Sequence, residues 1–71
     1  MKKVYQLENL DCANCAAKIE AAVRGLEGID NATVNFMAQK LVIETSGDLE
    51  VILPQIAKII SKIEPDCEIR Y

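Results

Sequence analysis

A chain of 71 residues, 51% hydrophobic and 27% charged, has room for one small domain and the composition of a globular chain rather than a disordered one. Its net charge of −3, with no dense Lys/Arg cluster, excludes nucleic acid as the main partner, because binding phosphates needs a basic face. There is no histidine, so a His base or a Ser–His triad is excluded, and a metal site has only thiolate, carboxylate, backbone or a partner's groups to draw on.

The first periodic segment is "KVYQLE", residues 3–8, whose alternation puts Tyr5 and Leu7 on one face of a strand. "NLDCAN" breaks the pattern. From Asn14 the spacing of Ala16, Ile19, Ala22, Val23 and Leu26 predicts an amphipathic helix, with Gly25 and Gly28 at its end. "IDNATVNF" returns to alternation through Ala32, Val34 and Phe36. The short link "MAQK" then joins it to "LVIET", with Leu41 and Ile43 on one face, as an antiparallel hairpin.

Ser46 or Asp48 is placed to cap a second helix built on Ile52, Leu53, Ile56, Ile59, Ile60 and Ile63. Pro54 is expected near its first turn, where proline is tolerated, and Glu64-Pro65 ends it. "DCEIRY" reads as a last short strand with Cys67, Ile69 and Tyr71 on one face. The order β-α-β-β-α-β predicts an α+β, ferredoxin-like sandwich, with a four-stranded antiparallel sheet and two helices on one face.

No apolar run is long enough to span a bilayer. Lys2 and Lys3 are not followed by a signal region, since Gln6 and Glu8 interrupt it, so the segment reads as cytosolic. The three cysteines are an odd number, which suits free thiols in a reducing compartment better than a disulfide framework.

Chemistry concentrates at Asp11, Cys12 and Cys15. A CxxC that spans a loop and a first helical turn carries both sulfurs to one side of the loop. The unpaired N–H groups and partial positive charge of a helix N-terminus favour the thiolate, the species that binds metal or attacks a disulfide. Two thiolates alone suit a soft monovalent ion, whereas Zn(II) and Cd(II) seek further ligands. Asp11 offers a third donor, and its added charge favours a divalent ion over Cu(I). The plain reading of Asp11 is a helix-capping carboxylate. The plain reading of Cys67 is a small core hydrophobe. A CxxC at a helix start also leaves open a glutaredoxin-like thiol oxidoreductase. Against it, the cysteines have no proline or aromatic between them, and no parallel core is predicted.

"LDCANCAAKIE", residues 10–20, resembles the metal-binding loop of heavy-metal-associated domains, whose usual form is Gly-Met-x-Cys-x-x-Cys. The likeness runs over essentially the whole chain, including "VNF" and "IEPD". It departs at Asn9, where Gly is common, and at Leu10, where Met is common and a buried apolar anchor is kept. Copper members of the family usually carry Thr, Ser or His before the first cysteine, and the Asp11 form is similar to the N-terminal domains of zinc/cadmium/lead-transporting P-type ATPases.

The resemblance implies that residues 1–71 are one heavy-metal-associated domain, the cytosolic N-terminal part of a longer membrane ATPase, with Asp11, Cys12 and Cys15 as metal ligands. It implies Zn2+ or Cd2+ as the ion, with Pb2+ beside them and Cu+ as the alternative. The partners implied are the metal ion and the other domains of the parent ATPase. The domain is expected to be a monomer, with a metal-bridged dimer as the other form, and to bind and deliver the ion or regulate the pump. No pump machinery lies in the 71 residues, so the domain itself is not expected to be an enzyme.

Overall fold

The computed structural model describes residues 2–70. The elements follow the expected order: β1 (Lys2–Glu8), α1 (Ala13–Arg24), β2 (Ile29–Asn35), β3 (Lys40–Thr45), α2 (Leu49–Ile63) and β4 (Glu68–Arg70). The strands form one sheet in the order β2-β3-β1-β4. Every pairing is antiparallel, with Tyr5 opposite Leu41, Val34 opposite Leu41 and Glu8 opposite Glu68. This is the ferredoxin-like arrangement.

The core forms where the helical and strand periodicities meet. Leu7, Ala32, Leu41 and Ile43 point inward from the strands, and Ala16, Ile19, Val23, Ile52, Ile56 and Ile60 face them from the helices. The isoleucine row of α2 is therefore core. Full burial of each such side chain contributes about 1.5–3 kcal/mol, which matters in a domain this small.

α1 ends sooner than its periodicity suggests. Arg24 is its last residue, and Gly25 caps it in a right-handed conformation at φ −79°. The left-handed glycine is Gly28, at φ 92°, where a Cβ would also stand 3.4 Å from Ile52 Cδ1. Leu26, expected in the helix, packs from the loop against the core.

α2 is capped by Asp48, whose carboxylate accepts from the Glu50 N–H at 3.0 Å. Pro54 sits in its second turn, one turn later than expected; it cannot donate to the Glu50 carbonyl, and both residues are exposed. β4 begins at Glu68, so Cys67 lies in the preceding turn, and Tyr71 falls outside the described residues.

Two side chains of α1 cover the outer edge of β2. Arg24 Nε donates to the Ala32 carbonyl at 2.7 Å, and Glu20 accepts from the Val34 N–H at 2.9 Å. An unpaired strand edge is a template for unwanted pairing, and these contacts fill part of it. Among the described residues, no helix is long and apolar enough to cross a membrane.

Candidate metal centre

The loop after β1 begins with Asn9 at φ 62°. This left-handed conformation disfavours most side chains, but asparagine tolerates it. That accounts for Asn9 at a position where loops of this type commonly carry glycine. Leu10 follows, 1% exposed, with its side chain in the core. Its N–H donates to Gln39 Oε1 at 3.0 Å, and its carbonyl accepts from Gln39 Nε2. The chain is thus anchored just before the chemically active residues.

Asp11 is exposed. Cys12, half-buried, is the N-cap of α1: its backbone is extended, and its Sγ accepts from the Cys15 N–H at 3.3 Å. The capping role open to Asp11 therefore belongs to Cys12, because the helix starts at Ala13 and the residue just before it is the cap. A sulfur takes the place that an oxygen usually fills at this position. Cys15, on the first turn, is half-buried and packs against the core.

The two thiols are unequal. Donation from the Cys15 thiol, followed by the Cys15 N–H, holds the Cys12 thiol below its ordinary value. Cys15 is pushed up to about 11, first by its bond to Cys12, then by burial and by the charges of Cys12 and Glu64. The sulfur of Cys12 ionises first, and the remaining proton stays on Cys15.

Glu64 is the residue that sequence reasoning missed; it was read only as a helix stop. It is the C-cap of α2, and its carboxylate lies near enough to Cys15 to help push that thiol up, while its charge raises all three cysteines. A topological signal existed: β4 runs antiparallel to β1 with Glu68 opposite Glu8, so the turn before β4 must lie beside the loop after β1. Cys67 is 4% exposed, and burial is the first cause of its raised thiol, ahead of Glu64, Asp11 and Glu68. It behaves as the expected core residue.

The structure therefore brings together Cys12 and Cys15, with Glu64 against the latter. Asp11 is next to Cys12 in sequence but stands out in solvent. Among the described residues, no three Cys, Asp or Glu side chains are gathered as a metal ion would require. The preformed part is the thiol pair, and a carboxylate could join it only by side-chain rotation. Two sulfurs with oxygen donors at hand suit a soft or borderline ion. The glutaredoxin-like alternative loses its basis, because that arrangement needs a parallel strand pair and this sheet has none.

Comparison with known proteins gives one consistent picture. The family model described as the heavy-metal-associated domain matches residues 4–66. The chain is 38% identical over 71 residues to a cadmium, zinc and cobalt-transporting ATPase of Bacillus subtilis, covering 99% of this chain and 10% of that protein. It is also 40% identical over 45 residues to the zinc/cadmium/lead-transporting P-type ATPase of Escherichia coli, covering 63% of this chain and 6% of that protein. The chain thus spans a tenth or less of these relatives.

Among solved structures, the N-terminal domain of ZntA in its Zn(II) form superposes with a TM-score of 0.74 at 30% identity, covering 97% of this chain and 88% of that one. The N-terminal domain of a potential copper-translocating P-type ATPase from Bacillus subtilis gives 0.78 at 26% identity, covering 97% and 82%.

Proposed function

Because the chain belongs to the heavy-metal-associated domain family, we propose that it binds a divalent soft metal ion through Cys12 and Cys15, with carboxylate donation from Asp11 and Glu64. The observation that carries this reading is the helix-capping thiol of Cys12, whose sulfur accepts from the Cys15 N–H and so stands beside the second thiol at the helix start. Asp11 supports it, because its exposed carboxylate is free to turn toward the site. Zn2+ and Cd2+ fit mixed sulfur and oxygen donors, and Pb2+ accepts the same set. The relatives named as cadmium and zinc transporters agree with that choice.

The domain is the N-terminal metal-binding part of a longer metal-translocating P-type ATPase. It faces the cytosol, where it delivers the ion to the pump or reports its presence. A surface groove lined by Leu26, Gln55, Lys58, Ile59, Ser61 and Lys62 includes neither site cysteine. An ion held on a surface loop rather than in a cleft remains open to a partner's ligand, as transfer requires.

A second reading, Cu(I) bound by the two thiolates with Asp11 idle, draws support from the likeness to the copper-translocating ATPase domain. Anaerobic competition titration of Zn(II), Cd(II) and Cu(I) into the reduced domain and its Asp11→Ala variant decides between them. Selective loss of divalent affinity, tenfold or more, supports the divalent reading. Equal divalent affinity in both proteins removes Asp11 from the ligand set and favours copper.

A further inference from the structure

The turn between β2 and β3 reaches the loop that carries the cysteines, and it does so through one residue. Gln39 has a left-handed backbone at φ 56°. Its carbonyl accepts from the Leu7 N–H at 2.7 Å, the last such bond before β1 gives way to the loop. Its side-chain amide then meets both backbone groups of Leu10, donating to the carbonyl and accepting from the N–H at 3.0 Å. The same Nε2 donates to the Phe36 carbonyl at 3.2 Å, which ties the amide to its own turn. One side chain thus behaves like an added strand residue alongside Leu10.

These contacts are demanding. Leu10 is 1% exposed, and buried backbone groups must be paired. Only Asn and Gln side chains offer a carbonyl acceptor and an N–H donor on one planar group, and Asn is a methylene shorter. Upstream, Asn9 takes its left-handed turn; downstream, only Asp11 separates Leu10 from the capping sulfur of Cys12. With the side chain of Leu10 in the core and its backbone held by Gln39, the direction in which the chain enters Cys12 is set from outside the loop.

We propose that Gln39 is a positioning residue for the metal loop: it fixes Leu10 so that Cys12 caps α1 and its sulfur faces Cys15. The idea rests on the metal-binding reading above for its effect on affinity, but its effect on loop geometry stands apart from any metal. The β2–β3 turn becomes part of the site without supplying a ligand. Partners bonded directly to a metal ligand typically change affinity by about ten- to a hundredfold when removed, and Gln39, which acts one step further out, is expected at the lower end.

The test uses the 71-residue chain and two variants, Gln39→Met, which keeps the length and loses the amide, and Gln39→Ala. Amide hydrogen exchange at Leu10 and Cys15 is measured without metal, and Cd(II) affinity is read by chelator competition together with the thiolate-to-cadmium absorption band. The expected result is faster exchange at both amides, Cd(II) affinity about tenfold weaker, and an altered absorption band in a protein that remains folded. Faster exchange at Leu10 with the Cys15 amide, the affinity and the band all unchanged would overturn the proposal, because Gln39 would then be structural only. If the unaltered chain fails to bind Cd(II), the metal-binding reading falls, and protection of the Cys15 amide alone decides this one. Should Gln39→Ala unfold, Gln39→Met carries the comparison.

Discussion

Replacing Glu64 by Gln keeps the shape of the side chain and removes its charge, and the two roles open to this carboxylate then predict different outcomes. In the metal-free protein Glu64, after Cys12 and burial, helps to hold the Cys15 thiol up at about 11. It also raises Cys12, against the stronger lowering by Cys15. Removing the charge lowers both thiols. Each unit by which Cys15 falls multiplies its thiolate fraction at neutral pH about tenfold. If Glu64 were only an electrostatic neighbour, its charge would raise the thiols and attract the cation by comparable amounts, and Glu64→Gln would leave Cd(II) affinity nearly unchanged. If its carboxylate reaches the ion, its loss weakens binding by about ten- to a hundredfold or more, outweighing the easier deprotonation. The assay pairs alkylation of Cys15 in the metal-free domain with anaerobic chelator competition at pH 7. We expect faster alkylation together with weaker Cd(II) binding. Unchanged or tighter Cd(II) binding by the variant would refute the donor role.

Other outcomes follow from the same structure. Asp11→Ala should lower Zn(II) and Cd(II) affinity at least about tenfold and leave Cu(I) affinity within a few-fold, read by competition titration. Metal binding needs both sulfurs ionised, and Cys15 keeps its proton up to about 11. At least one proton should therefore leave per ion bound, with apparent affinity rising about tenfold or more per pH unit between roughly pH 6 and 8, as calorimetry in buffers of different ionisation enthalpy would report. Ile56, 0% exposed at the centre of α2, should cost about 2–5 kcal/mol on truncation to Ala in urea unfolding of the metal-free domain. Thr45 is the one polar residue described as buried; its Oγ1 donates to the Gly28 carbonyl and accepts from the Gly47 N–H at 2.9 Å. Thr45→Val should destabilise by about 1–3 kcal/mol with metal affinity unchanged, because both partners lose their bond.

Most of the fold was legible because each element has a single clear period. Ile52, Ile56 and Ile60 recur at helical spacing, and Leu41 and Ile43 alternate, so neither segment could be placed in the other class. The boundaries were less legible, for local reasons. α1 stops at Arg24 although apolar residues continue to Leu26, because Gly25 takes a right-handed cap and the chain then turns. Cys67 was placed in the last strand by alternation; its N–H instead donates to the Glu64 carbonyl at 3.0 Å in a turn, while its side chain still goes inward.

At the site, what was legible was local and what was hidden was distant. Asp11, Cys12 and Cys15 declare themselves by spacing within one loop. Gln39 is 29 positions from Leu10, and no short pattern links them. Glu64 belongs to another helix altogether. Both become visible only once β1 is seated between β3 and β4, for that arrangement puts the β2–β3 turn and the α2–β4 turn on either side of the loop after β1. The division of labour has a physical reason. A loop that presents two half-buried sulfurs near the surface gains only part of its support from burying them. Its rigidity has to come from the residue before them, Leu10, held by core packing and by a distant amide, while charge control comes from a carboxylate on another element. Family resemblance points to the candidate ligands; the supports are set by topology and come from the neighbouring turns.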